Sequence, residues 1–223
     1  MKVLYSELLP SELRDRIANQ PIAYLPLGVL EYHGEHMPLG ADIIQADGLM
    51  LECAKRFGGV VLPSLYIGPG ELAATKEHAF SDCYYVPGDF FQLLIDFVLT
   101  NLAMIGFRAA FAHGHGPSYL NWVKYMSERE KQFGMKLFGV TRDIRRSWKV
   151  QVDHAGRKET SLVQLLRPEL VDLGKLSPDR SVWPTGVTGK DPRDATPEYG
   201  KICLEASLNI VERMLVEAGF LWV

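Results

Sequence analysis

Short apolar runs alternate with longer segments of helical periodicity along this sequence. The apolar runs, each a candidate strand, are IAYLPLGV (22–29), GGVVLPSLYIG (58–68), RAAFAHGHG (108–116) and KLFGVT (136–141). Between them, apolar residues spaced three and four apart predict helices over about 43–57, 87–107 and 118–133. Apolar strands separated by helices are typical of a parallel sheet buried between two helical layers. We therefore expect a three-layer α/β/α sandwich with a mostly parallel sheet.

The last third of the chain predicts two further helices and a long connection. One helix is expected from near Glu159 to Pro168, and a closing helix over about 197–218. Between them, residues 170–201 are rich in Pro, Gly and Asp, which favours a surface excursion over regular structure. The length of 223 residues suits one core, so we predict a single domain over 1–223.

Composition narrows the class of function. The formal net charge is -3, so the excess of Lys and Arg expected for binding nucleic acid or an anionic membrane is missing. Cys53, Cys83 and Cys203 are widely spaced and odd in number, which argues against a disulfide framework or a thiolate zinc site. The N-terminal residues carry charges throughout and do not resemble a signal peptide, and no segment was expected to span a bilayer. We expect a soluble, cytoplasmic protein that acts on a small molecule.

Metal-ligating residue types are concentrated in the stretch EYHGEHMPLGAD, 31–42, directly behind the first predicted strand. Glu31 and His33 are two residues apart, so in an extended strand end they point the same way, and Asp42 returns from the Gly/Pro loop. Imidazole and carboxylate donors suit Zn, with Mn or Fe(II) as alternatives. We predict one or two divalent cations, with Asp42 suited to bridging a pair.

The remaining candidate residues also follow strand ends, and loops at the carboxyl edge of a parallel sheet meet in one crevice. His115 lies in GHG after the third strand, and burying it with Glu31, His33 and Asp42 without a cation would be costly. Glu159 is equally consistent with a metal ligand and with a helix N-terminal charge, and Asp153 is predicted to orient His154. A structural role is favoured for two other histidines, His36 and His78.

Five ordered motifs resemble the signature of the creatininase (creatinine amidohydrolase) family, and together they extend over nearly the whole chain. The first is LPLGVLEYHGEHMPLGADI at 25–43. The others are KEHAF (76–80) with PGD (87–89), HGHGPS (113–118), DHAGRKETS (153–161) and GVTGKDPRDATPEYGK (186–201). Chance similarity does not produce five such motifs in the same order.

The resemblance implies a creatininase-like fold and a two-metal hydrolase that cleaves a non-peptide C–N bond of a small, possibly cyclic, amide. Carried over onto this sequence, Glu31, Asp42 and His115 would hold one ion, and His33, Asp42 and Glu159 the other. Glu159 is thereby assigned as a ligand at the catalytic centre, and His154 as a proton shuttle near the scissile amide. The family is typically a hexamer, so a homo-oligomer is expected, with 170–196 a candidate contributor to neighbouring sites.

Several departures from the family pattern leave alternatives open. Creatininase has a metal-ligand glutamate where this sequence has Pro117, and His113 could replace it only if the strand stays extended through Gly114. Ser118 stands in place of an Asn, and Trp148 is offset from the tryptophans that enclose creatinine. Creatinine itself is therefore not the expected substrate. The alternatives are a formamide hydrolase or peptidase-like branch of the family and a metal-binding member without hydrolase activity.

Overall fold

The computed structural model describes residues 2–70, 82–140 and 152–221. Four strands form a parallel sheet in the order β2-β1-β5-β6, and two very short ones, β3 and β4, pair in parallel beside it. The strands are β1 (Ile22–Leu27), β2 (Val60–Val61), β3 (Gly68–Pro69), β4 (Tyr85–Val86), β5 (Ala109–Gly114) and β6 (Lys136–Phe138). All described strand pairs are parallel, as the apolar runs predicted, although β2 covers only two residues of the second run.

Helices cover both faces of the sheet. They are α1 (Pro10–Asn19), α2 (Ala41–Phe57), α3 (Gly88–Ile105), α4 (Gly116–Phe133), α5 (Arg157–Leu166) and α6 (Pro197–Glu217). Along β1, Ile22 and Tyr24 pack in the core cluster shared with α2 and α6, whereas Ala23 and Leu25 pack in the cluster shared with α3. This alternation follows from the two-residue period of a strand. The three-layer architecture is confirmed.

The excursion before α6 is mostly irregular. Short 3₁₀ turns at Pro168–Leu170, Leu173–Lys175 and Pro192–Asp194 interrupt it, and many of its side chains are exposed. Its Thr188 forms a bridge with His154, and the Asp172 amide donates to the His36 carbonyl at 3.0 Å. The segment therefore contacts the candidate site of its own chain.

Helix α3 corrects one expectation from the sequence. Among the described residues, it alone is long and apolar enough, by length and composition, to cross a membrane. Phe91, Ile95 and Leu99 of α3 are fully buried against the sheet, so this helix is one layer of the fold. Its other face leaves Leu93 and Phe97 more than half exposed.

The register of the two central strands brings the predicted motifs together. β1 and β5 are neighbours, and their last residues, Leu27 and Gly114, are register partners. The metal-ligating stretch that follows β1 therefore begins beside the histidine that follows β5. Gly114 has φ 145, and a Cβ there would lie 2.0 Å from the Leu27 carbonyl oxygen. Only glycine allows β5 to turn this closely past β1.

Candidate metal centre

Four segments of the chain supply the candidate ligands, all at the carboxyl edge of the sheet. Glu31 and His33 follow β1, and Asp42 lies in the first turn of α2. His115 is the N-cap residue of α4, and Glu159 lies in the first turn of α5. Both acidic residues at helix starts are favoured there by the helix dipole. That same placement aims them into the crevice.

Among the described residues the donor atoms form three groups, two of which share Asp42. Glu31, Asp42 and His115 offer atoms within 4.8 Å of one another, and so do His33, Asp42 and Glu159. His33 Nε2 lies 3.6 Å from both Asp42 Oδ1 and Glu159 Oε2. In the first group, His115 Nε2 lies 3.7 Å from Glu31 Oε2. These separations are too long for hydrogen bonds and suit atoms that share a cation.

Several of these atoms are buried without a hydrogen bond. His33 Nε2, Asp42 Oδ2 and His115 Nε2 all lack a hydrogen-bond partner among the described residues, and the three residues are at most 6% exposed. Leaving such groups unpaired costs about 1–3 kcal/mol each, and more when they are charged. A divalent cation would satisfy all three, so the donor set fits the metal that the sequence predicts.

The second nitrogen of each imidazole is already engaged. His33 Nδ1 lies 3.0 Å from the Glu31 carbonyl oxygen, to which it donates, so Nε2 is the ring nitrogen that faces the cluster. His115 Nδ1 lies 2.8 Å from the Ser118 hydroxyl. Metal-binding histidines commonly have their other nitrogen held in this way. Ser118, a departure from the family pattern, thus keeps a positioning role.

The carboxylates are held by hydrogen bonds as well. The Tyr85 hydroxyl donates to Glu31 Oε1 at 2.7 Å, which leaves Oε2 facing His115. The Ala155 amide donates to Glu159 Oε2 at 2.7 Å. Ala155 has φ 52, the one non-glycine positive φ in the described part of the chain. Strained backbone of this kind is concentrated at functional sites, and here it points an amide at a candidate ligand.

The electrostatics show that the cluster lacks positive charge. Burial raises the pKa of Glu159 to about 8, and burial together with Asp42 raises the pKa of Glu31. Burial lowers the pKa of His115 to about 4. Burial also opposes charge on His33, but the Asp42 and Glu159 carboxylates raise its pKa to about 10. Burial with little positive charge nearby favours the neutral forms of the two glutamates, and a divalent cation would instead hold both as carboxylates.

His154 lies at the edge of the cluster. Its ring centroid is 4.4 Å from that of His33, and its Nε2 lies 3.1 Å from the Tyr32 carbonyl oxygen. Burial, followed by the charge of His33, lowers its pKa. The prediction that Asp153 orients this ring is wrong, because Asp153 Oδ2 instead accepts from the Lys158 amide at the start of α5.

The other histidines lie apart from the donor groups. His36 is buried, and its Nε2 lies 3.0 Å from the Thr160 hydroxyl, consistent with the structural role predicted for it. His113 packs beside Phe111 and Tyr119 and is absent from the donor groups found in residues 2–70, 82–140 and 152–221. The positive φ of Gly114 breaks the alternation that would have aligned His113 with His115. His78 and Trp148 lie outside the described residues.

Sequence reasoning missed two residues at the site. Tyr85 reaches Glu31 from β4, 54 positions away, and Thr188 bonds the His154 amide through its hydroxyl at 3.1 Å. Tyr85 lies two residues before the family motif at 87–89 and Thr188 lies within the motif at 186–201, and these positions were the one available signal. A cavity of about 370 Å³ opens beside the cluster, and Pro117 lines it without supplying a donor.

The comparisons with known proteins identify the family of the chain. The sequence model of the family described as creatininase, creatinine amidohydrolase, matches residues 6–215. The chain belongs to the creatininase family. A relative in this family, the creatinine amidohydrolase of Pseudomonas putida, is 26% identical over 226 residues, covering 90% of this chain and 86% of the relative.

Solved creatininase structures share the fold. A manganese form and a variant complexed with creatine each superpose with a TM-score of 0.78 at 22% identity, covering 98% of this chain and 99% of theirs. A variant described as a Zn-Zn type has a TM-score of 0.77 with the same coverage and identity. At this identity the likeness shows the creatininase fold, while the metals and creatine belong to those proteins.

Proposed function

We propose that this protein is a metal-dependent amidohydrolase that cleaves a C–N bond of a small amide. The observation that carries the proposal is the convergence of three buried, unpaired donors, His33 Nε2, Asp42 Oδ2 and His115 Nε2. A cavity of about 370 Å³ beside them has the size of a small-molecule site. Membership of an amidohydrolase family supports the reaction class.

Two cations fit the donor arrangement. Glu31, Asp42 and His115 would hold one, and His33, Asp42 and Glu159 the other, with Asp42 common to both. Imidazole and carboxylate donors suit Zn or Mn, and forms with each metal are known among the related creatininases. A bound divalent cation supplies Lewis acidity, which polarises a carbonyl oxygen and activates water.

The chain's own residues supply orientation and proton transfer. His154 lies beside His33 and lines the cavity, so it can carry a proton to the departing nitrogen of an amide bound there. Tyr85 and Ala155 hold Glu31 and Glu159 by hydrogen bonds, so the carboxylates do not have to reorganise when substrate binds. Apolar side chains such as Leu49 and Leu162 also line the cavity and offer no hydrogen bonds to water there.

The metal centre is tested by elemental analysis of protein purified without a His tag and reconstituted with Zn or Mn. Two ions per chain are expected in the wild type, and Asp42→Ala should lose both because both donor groups contain Asp42. Glu35→Ala is the matched control, since Glu35 belongs to the same motif but is exposed. Full metal content in the Asp42 variant would contradict the shared ligand.

The reaction is tested with a panel of formamides, linear amides and cyclic amides. The loaded wild type should hydrolyse at least one class, and His154→Ala should lower kcat by about 10²- to 10⁴-fold. The metal content of this variant must stay at the wild-type value, because His154 also falls in a third donor group with Glu31 and His33. Metal loss in the variant would make His154 a ligand instead.

A second candidate function is a metal-retaining protein without hydrolase activity. Pro117 favours it, because a proline side chain offers no donor at the position where creatininase supplies a glutamate. The two candidates differ in one result. Full metal occupancy together with no turnover of any amide in the panel would support the second and refute the first.

A further inference from the structure

The cavity extends well beyond the metal-ligating residues, along one face of α2. Its lining residues there are Asp42, Gln45, Ala46 and Leu49, spaced by three and four as residues on a single helix face are. At 1.5 Å rise per residue, the path from Asp42 to Leu49 is about 10 Å long. The cavity is therefore an elongated channel that begins at a candidate metal ligand.

The opposite wall and the floor of this channel come from α6 and β5. On α6, the lining residues Leu204, Ser207 and Val211 again follow helical spacing. On β5, Phe111 and His113 alternate along the strand and so lie on the same face of the sheet. The channel thus runs between two helices over the sheet, away from the crevice where the donors converge.

The walls of the channel distal to the metals are mainly apolar. Leu49, Phe111 and Val211 are part of the buried core, and Leu204 packs against it. His113 packs its ring against Phe111 and Tyr119, and two further polar side chains near them are directed to their own helices. Ser207 donates to the Cys203 carbonyl oxygen at 3.0 Å, and Gln45 Nε2 donates to the Ala41 carbonyl oxygen at 3.3 Å. A charged or strongly polar group placed here would lose its hydration without finding equal partners.

From this arrangement we infer that the substrate is an amide bearing an apolar chain or ring, which extends from the scissile bond into the channel. The inference rests on the proposed amidohydrolase function and specifies its substrate class. At about 30 Å³ per water molecule, the cavity of about 370 Å³ holds roughly a dozen groups of that size. An amide head alone would leave most of this volume unfilled.

The test uses alkyl hydroxamates, whose head group chelates Zn or Mn and whose tail length can be varied. Binding of the series from acetohydroxamate to hexanohydroxamate is measured by calorimetry on the metal-loaded protein, without any turnover. Complete burial of each added methylene would tighten binding about fourfold. We expect at least a tenfold gain over the series in the wild type.

Two substitutions on α6 separate the channel from general effects. Ser207→Phe projects a ring into the channel and should abolish the gain with tail length. Ala206→Phe adds the same ring at the adjacent exposed position and should preserve the gain. If Ser207→Phe loses cooperative thermal unfolding, the smaller Ser207→Leu takes its place, with a weaker gain expected than in the wild type.

The outcomes distinguish the channel from the proposed reaction. Affinity independent of tail length in the wild type, or a full gain retained in a folded Ser207 variant, would overturn the inference. If binding depends on tail length but the matching alkyl or aryl amides are not hydrolysed, the channel is supported and the proposed amidohydrolase function is refuted. Hydrolysis of short amides without any preference for longer ones would refute the channel alone. Failure of acetohydroxamate to bind the loaded protein would overturn both.

Discussion

Removing the Tyr85 hydroxyl should weaken one metal site and leave the other intact. This hydroxyl donates to Glu31 Oε1 at 2.7 Å, while the other oxygen, Oε2, faces His115. Burial raises the pKa of Tyr85, so the phenol stays protonated and remains a donor at neutral pH. Tyr85→Phe keeps the ring, whose centroid lies 6.2 Å from that of His115 in a stacked arrangement, and removes only the hydrogen bond.

The expected magnitude follows from the kind of bond that is lost. A hydrogen bond to a charged group contributes about 1.5–3 kcal/mol. Loss of a residue that orients a metal ligand typically costs about 10- to 100-fold in metal affinity, which converts to about 1.4–2.8 kcal/mol. The two ranges agree. We therefore expect the ion held by Glu31, Asp42 and His115 to bind about 10- to 100-fold more weakly in Tyr85→Phe.

The assay is competition with a chromophoric chelator, which resolves the two dissociation constants in wild type and variant. Tyr84→Phe is the matched control, since Tyr84 is the adjacent residue and its side chain is 62% exposed. One affinity should fall in Tyr85→Phe, and neither should change in Tyr84→Phe. Two unchanged constants in Tyr85→Phe would refute the argument that this hydroxyl orients Glu31.

Three further predictions concern stability and assembly. Burial lowers the pKa of His36 to about 4 from 6.5, so its neutral form stabilises the fold above pH 6.5, and up to about 3 kcal/mol is lost as the pH falls towards 4. In metal-free His36→Gln, the free energy of unfolding measured in urea should fall less between pH 6.5 and pH 4 than in the metal-free wild type. The same pH dependence in both proteins would contradict this prediction. Gly114→Ala, whose Cβ would meet the Leu27 carbonyl, should cost roughly 3 kcal/mol, whereas Gly116→Ala, with open space around it, should change denaturation midpoints little. We propose that the homo-oligomer expected from the family resemblance forms through the exposed apolar face of α3. Phe97→Glu should then lower the mass seen by light scattering, and a wild-type monomer would exclude this interface.

Much of the fold could be predicted from local patterns. The apolar run at β1, the helical spacing of α2 and the glycines around His115 are local features, and each gave an element close to its observed bounds. Element ends differed by a few residues, as with α5, which was predicted to begin near Glu159 and begins at Arg157. The spacing of apolar residues predicts which face of an element is buried. Where the element ends depends on its tertiary contacts, which the local sequence does not specify.

In the candidate site, too, some features were predictable from local sequence and others were not. The ligand types and the short spacing from Glu31 to Asp42 lie in one stretch of sequence, and parallel topology predicted that His115 would join them. Topology left the role of Glu159 open, and only the family resemblance assigned it as a ligand. The contact from Tyr85 to Glu31, the cap that Asp153 makes on α5 and the turn at Gly114 were not predictable. Each depends on backbone geometry or on the packing of segments far apart in the chain.

By itself, then, the sequence determined which residue types serve as ligands, that the apolar strands form a parallel sheet, and at which edge of that sheet the loops meet. Only the tertiary structure decided which ligand atoms are left unpaired, which hydroxyl holds Glu31, and that a channel runs from Asp42 between α2 and α6. The physical reason is that residue type and periodicity are properties of a segment. Distances between side chains on different elements are set by how those elements pack, and packing is a property of the whole fold.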